Sequence, residues 1–366
     1  MVSVAPMRSP APPEYAVWEL MLTLRARYCS TPLNAFVSLA LFGIILFMLV
    51  RAFDWAVLDG VWNAGSVTEC QRAAGGACWA VLPARFRLIL FGLYPFDQQW
   101  RPSLACMVML LTCIGSCVPA LWQPRRLAVL WLAAYVTFLG LMAGGFLGMP
   151  VVITDDWGGL ALTFLLFSSA MILGMPLALL LALCRRSRFM VLRLTAGGVI
   201  DFLRSIPLMA VLFAVAIVLP VMLPNASGDK LVRVILGFTL FFASYQAENF
   251  RGGLQAVAKG QVEAAISLGM KYWQYHLKII LPQVFRIVLP QTMNQVVSCF
   301  KDTSYVALVG FFDMTASASA ALGTGQWALA FVEVYLVVGL IYFGFCYSLS
   351  QYGSYLERRA DVAYLR

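Results

Sequence analysis

The sequence predicts an all-α, polytopic membrane protein of about eight transmembrane helices, three of them N-terminal and five forming a core. Three observations predict it. Hydrophobic residues make up 61% of the 366 and charged residues only 12%, against roughly 25% charge in an ordinary soluble domain. Apolar runs free of charge recur near the length of roughly 20 residues that crosses a hydrocarbon core of about 30 Å as a helix. The Lys and Arg residues behind the net charge of +9 gather in alternate connecting segments, as an excess of positive charge on cytoplasmic loops requires. This composition excludes a disordered chain, a collagen and a soluble multidomain enzyme. It also makes the positive charge a matter of membrane orientation: the bilayer is an expected partner and nucleic acid is not.

The spans follow in order. Leu33–Val50 comes after Ser30-Thr31-Pro32 and stops at Arg51. Arg25 and Arg27 precede it without a cleavage-site pattern, so the run reads as a span rather than a signal peptide. Ser103–Trp122 is the second run, Leu127–Leu147 the third, and Trp157–Cys184 the fourth, closed by Arg185-Arg186-Ser187-Arg188. The fifth lies near Ser205–Leu223. The sixth is short, with only Val234–Ala247 between Arg233 and Glu248. The seventh, near Ile287–Phe300, is short and polar; the eighth, near Trp327–Ser350, contains Glu333. Trp100, Trp122, Trp157 and Trp327 stand at run ends, where interfacial anchors belong.

Eight spans put both termini on one side. Arg51, Arg72, Arg85, Arg87, Arg101, Lys230 and Arg233 then face one compartment. Most other basic residues, from Arg8 and Arg25 through the 185–193 cluster to Arg366, face the second, which is therefore the cytoplasm. The organisation expected is an extension, 1–156, with three helices and an external loop at 52–102; a five-helix core, 157–350, with a cytoplasmic loop at 249–285; and a cytoplasmic tail, 351–366. Ala84–Phe96 in the outer loop is too short to cross and reads as interfacial or re-entrant. Cys70 and Cys78 flank Gly75-Gly76 in that loop, and two readings stay open, a disulfide and two free thiols. The nine Cys and single His show no zinc-ligand spacing, so no metal site is expected.

The inner loop is the most informative segment. Gln261–Leu268 is a good helix former, Gly269 suits a left-handed stop, and Met270–Leu281 predicts a second helix ended by Pro282. An ordinary amphipathic loop on the membrane surface would read the same way. The spacing, however, is specific. Glu263-Ala264-Ala265, three residues, Gly269, nine residues, then Ile279, Leu281 and Pro282 resemble the signature of permease subunits of ATP-binding-cassette importers, at seven fixed positions. Further segments resemble the polar-amino-acid branch: Phe202-Leu203-Arg204-Ser205-Ile206-Pro207-Leu208, Tyr245-Gln246-Ala247-Glu248-Asn249-Phe250-Arg251-Gly252-Gly253, and Lys301-Asp302-Thr303-Ser304. The similarity covers about 157–359. The stretch from Arg85 to Pro95 resembles the extension of general L-amino acid permease subunits.

The resemblance implies a permease of the bacterial inner membrane, not itself an enzyme. It would pair with a second permease subunit, as a homo- or heterodimer. It would present Glu263, Ala264, Ala265, Gly269, Ile279, Leu281 and Pro282 to an ATPase dimer and receive amino acids from a periplasmic binding protein. No G-x-x-x-x-G-K-[ST] loop and no Gly-Lys dipeptide occurs. No cofactor is therefore expected on this chain, and ATP and Mg would be used by the partner ATPase.

Ionisable groups in a bilayer are functional candidates. Glu248 faces either the solute pathway and Arg251, or water at a helix end. Lys301 and Asp302 form a candidate ion pair, as do Asp201 and Arg204. Thr303 and Ser304 bond either solute or their own backbone. Gln291, Asn294 and Gln295 share one helical face. A zwitterion would find Glu248 and Asp302 for its ammonium, and Arg204, Lys301, Thr303 and Ser304 for its carboxylate. The alternative is a secondary transporter or channel for another small polar solute. It would need a coupling-ion site and usually internal repeats, and no repeat is evident.

Overall fold

The computed structural model describes residues 27–362 apart from 29, 74, 227 and 324. Arg8, Arg25 and Arg366 of the charge asymmetry, and the end of the 351–366 tail, lie outside the described residues. The chain divides into two compact units, one ending at Ala80 and one beginning at Val81.

The first unit begins with α1 (Pro32–Phe53), continued by a π-turn, Asp54–Leu58. The Thr31 side chain accepts from the Asn34 N–H at 3.2 Å, and Pro32 sits in the first turn where its missing N–H costs nothing. No α1 residue is buried, as suits an apolar cylinder solvated by lipid. After it comes α2 (Val67–Ala73). Cys70 and Cys78 are bridged, with Cα atoms 5.6 Å apart. The fold-back is closed by Trp79, which stacks on Trp62 at 5.8 Å and donates to the Ala56 carbonyl at 2.6 Å.

In the second unit α3 (Val81–Phe91) is the short apolar piece that follows the loop. α4 (Trp100–Ser116) and α5 (Pro124–Ala143) form an antiparallel pair. α6 (Gly159–Arg185) leads into α7 (Met190–Ser205) and α8 (Leu208–Met222). Pro207 follows the extended Ile206, and the chain turns by 108° between α7 and α8. α9 (Lys230–Ala256) is capped by Asp229, and α10 (Lys259–Ser267) follows in the inner loop. α11 (Tyr272–Tyr275), a π-turn at His276–Ile280 and α12 (Leu281–Ile287) form one rod. Then come α13 (Leu289–Asp302), α14 (Met314–Leu322) and α15 (Phe331–Val362). The spine is α6 against α9, with Phe164, Phe167, Phe242, Phe300 and Phe311 in the core. Gly159 has φ +60, and a Cβ there would run into the Leu90 carbonyl, so glycine lets α3 lie across the start of α6.

The described helices are all-α, but the eight spans are not all present by length and composition. Five helices are long and apolar enough to cross, Pro32–Leu58, Pro124–Ala143, Gly159–Arg185, Lys230–Ala256 and Phe331–Ala360, with the bent α7–α8 pair a sixth. The second expected span stops at Ser116, and the seventh is divided at Val288 between α12 and α13. The sixth is longer than its charge-free run: α9 carries Arg233 and Glu248 inside a 27-residue helix. Both charges are held by protein. Arg233 Nε donates to the Val215 carbonyl at 3.0 Å, on a π-turn that frees such oxygens. Trp157 and Trp327 are both buried in protein, Trp157 within the main core. Glu333 is also buried.

Arg101, the largest fully buried side chain, gave no signal in the sequence. Its guanidinium donates to the carbonyls of Leu141 (2.7 Å), Pro150 (2.9 Å) and Met142 (3.2 Å). It thereby satisfies acceptors that the end of α5 leaves open.

Candidate functional site

The inner loop is built around a left-handed stop. Gly269 has φ +72; its N–H bonds the Ile266 carbonyl at 2.9 Å, and the Met270 N–H bonds the Ala265 carbonyl at 3.1 Å. This pair of bonds closes the C-terminus of α10 and is strongly glycine-selective. Among the described residues no atom lies within 4 Å of a Cβ placed on Gly269. The constraint is therefore the backbone angle alone, on an open surface.

The seven signature residues divide by role. Ala265 and Leu281 are buried in a cluster with Ala178, Ala182, Phe250 and Tyr275, and Ile279 packs on its edge. These three seat the loop on α6 and α9. Glu263, Ala264, Gly269 and Pro282 are exposed, beside Ile266, Leu268 (80% exposed) and Trp273. A small-residue face ringed by exposed apolar side chains is a surface that a partner can cover. Pro282 does not end the second helix as expected. The π-turn before it resets the hydrogen-bond ladder, so Pro282 falls in a new first turn where no donor is required. In that π-turn His276 stacks on Tyr272, with ring centroids 4.0 Å apart, and Nδ1 meets the Tyr272 carbonyl at 3.0 Å. Burial holds its pKa below 6.5; the backbone hydrogen bond opposes this, and the nearby Arg186 adds to it.

A second cluster joins α6, α7 and α9. Arg251 Nε donates to Glu248 Oε2 at 2.9 Å, and a second, shorter bond joins the same pair. Arg185 and Arg204 each place a guanidinium nitrogen 3.7 Å from Glu248 Oε2. Asp201 does not pair with Arg204. Arg185 takes it in a two-pronged contact at 2.9 and 3.1 Å, the planar fork matching the carboxylate. Arg204 lies over the Tyr245 ring at 5.5 Å. Glu248 is thus surrounded by three arginines, a position in which its charge is already matched.

The other polar candidates are dispersed. Asn294 and Lys301 are exposed and Asp302 is partly buried. Among the described residues Lys301 and Asp302 form no ion pair, because successive helical positions point about 100° apart. Thr303 donates to the Phe300 carbonyl at 2.8 Å and Ser304 to the Lys301 carbonyl at 2.9 Å, so both hydroxyls serve their own backbone. The structure adds a buried link that sequence reasoning missed: Gln246 donates to Thr292 Oγ1 at 2.7 Å, tying α9 to α13. Gln246 lies within the quoted Tyr245–Gly253 segment, but only the contact reveals its partner.

A bundle of helices long and apolar enough to cross a bilayer defines a multi-pass helical membrane protein. The chain belongs to the binding-protein-dependent transport system inner membrane component family, whose model matches residues 174–362. It is 36% identical to the inner membrane amino-acid ABC transporter permease protein YhdY of Escherichia coli K12, over 99% of each chain. It is 33% identical to the glutamate/glutamine/aspartate/asparagine transport system permease protein BztC of Rhodobacter capsulatus, over 96% of each. A solved amino acid ABC transporter with histidines matches at 29% identity and TM-score 0.48, covering 54% of this chain and 90% of that one.

Proposed function

We propose that this chain moves L-amino acids inward across the bacterial inner membrane as one permease of a heterodimer, driven by a separate ATPase dimer and fed by a periplasmic amino-acid-binding protein. The observation that carries the reading is full-length similarity to permeases named for amino-acid transport. In this reading α10 and its neighbours dock in a groove of the ATPase through Glu263, Ala264, Gly269 and Pro282, while Ala265, Ile279 and Leu281 hold the loop in place. ATP and Mg belong to that partner.

The eight-span topology counts α4, the bent α7–α8 pair and the divided α12–α13 pair as crossings beside the longer helices, leaving both termini cytoplasmic. The Glu248 cluster then lies towards the cytoplasmic end of α9, on the exit side. Asn294, Lys301 and the partly buried Asp302 are the polar groups offered to the path; Arg204 and Glu248 act through their mutual contact, and Thr303 and Ser304 shape the turn that follows α13.

The test is uptake of labelled amino acids by cells with and without this chain, partners present, beside a sugar control. Amino-acid uptake that depends on the chain supports the reading. Unchanged uptake of every amino acid in a strain without redundant systems overturns it.

A further inference from the structure

We propose that the groove beside α3 is a binding site for a phospholipid headgroup, read through its phosphate and a hydrogen-bond donor. The groove is a cavity of about 440 Å³ lined by Arg85, Arg87, Gly92, Phe96 and Gln99 among others. Two arginines of one short helix, Arg85 and Arg87, line it. Arg87 lies over the Phe96 ring, 4.3 Å from its centroid, which fixes one of them at the rim.

Gln99 adds a second, independent requirement. The residue is 9% exposed, and its Nε2 donates to the Tyr94 carbonyl at 3.3 Å. Among the described residues its buried Oε1 has no hydrogen-bond partner. A buried acceptor left unmade is costly, so the groove suits a ligand that brings an N–H or O–H as well as an anion.

The surroundings choose the source. Gly92 and Gly158 are in close approach, and α3 lies across the first residue of the 27-residue apolar helix α6. The groove therefore sits where a span ends, at headgroup depth. Phe86, Leu93, Phe96 and Trp100 are exposed around it. Such a rim of aromatic and apolar side chains beside arginines is what the membrane–water boundary favours. A phosphodiester matches the guanidiniums. The ammonium of ethanolamine or a glycerol hydroxyl matches Gln99 Oε1, and choline has no N–H or O–H to give.

The experiment is native mass spectrometry of the delipidated full chain with phosphatidylglycerol, phosphatidylethanolamine and phosphatidylcholine of identical acyl chains, with inorganic phosphate and glutamate as separate arms. Phosphatidylglycerol and phosphatidylethanolamine should be retained about tenfold more than phosphatidylcholine. Arg85→Gln with Arg87→Gln should lower retention of all three, and Arg85→Lys with Arg87→Lys should recover part of it. Gln99→Leu should bring the first two lipids down to the level of phosphatidylcholine. Melting temperatures of the variants identify a loss due to unfolding, in which case the lysine pair decides: retention no better than in the glutamine pair overturns the site. Equal retention of the three lipids by the unaltered chain, or displacement of lipid by glutamate or phosphate, also overturns it.

Discussion

Gly269 is defined by its angle. Gly269→Val has room for its side chain but must hold a β-branched residue at φ +72, where such residues are rarely found. The variant should reach the membrane at near-normal abundance yet lose solute-stimulated ATP hydrolysis in the purified complex. Normal stimulation would remove Gly269 from the coupling surface. Glu248 is defined by its neighbours. Glu248→Gln leaves Arg185, Arg204 and Arg251 without their shared carboxylate, so uptake should fall more than membrane abundance. Equal falls in both would make the cluster purely structural. Arg101 is the third residue whose environment sets its role. Arg101→Met strips a donor from three carbonyls; the Tyr94 hydroxyl still reaches Met142 at 2.9 Å and Leu141 at 3.5 Å, so the Pro150 carbonyl bears most of the cost, about 1–3 kcal/mol for a buried acceptor left unpaired. The thermal midpoint of the detergent-solubilised protein should fall clearly, and Arg101→Lys should restore little, since an ammonium lacks the planar fork.

The π-turn between α11 and α12 should respond to pH through His276. His276 faces Tyr272, Tyr275 and Arg186. With its folded pKa below 6.5, the unfolded segment binds protons more readily. Its contribution is therefore complete above about pH 6.5 and is lost as pH falls from there towards the folded value. Hydrogen exchange over Tyr272–Lys278 should accelerate between pH 7.5 and 5.5 beyond the intrinsic rate change, and His276→Gln should flatten that dependence. No excess acceleration in the unaltered protein would discount the histidine. The second inner-loop helix also shows how far local rules reach. Gly269 as a stop was legible because its φ demand is local. The continuation through Pro282 was not, because it depends on a π-turn whose cause is packing of Tyr275 and Ile280 into the core.

At the scale of the whole molecule, topology is the open test. Reporter fusions near Gly75 should read external, and fusions in the 249–285 loop cytoplasmic. The same side for both would overturn the eight-span arrangement. The apolar composition determined by itself a helical membrane protein, and the spacing from Glu263 to Pro282, through its resemblance, the permease family to which the chain belongs. These signals lie in lipid solvation and in short-range backbone geometry, which act wherever the residues stand. Tertiary structure alone decided which charges meet. Asp201 and Arg204 share a helical face, yet Arg185, sixteen residues from Asp201, wins the carboxylate because the end of α6 packs beside α7. The same holds for Arg101, which looks like a lone charge before an apolar run until α5 brings its terminal carbonyls within reach. Partners separated by forty residues of chain leave no periodic trace; only the packing of helices brings them together.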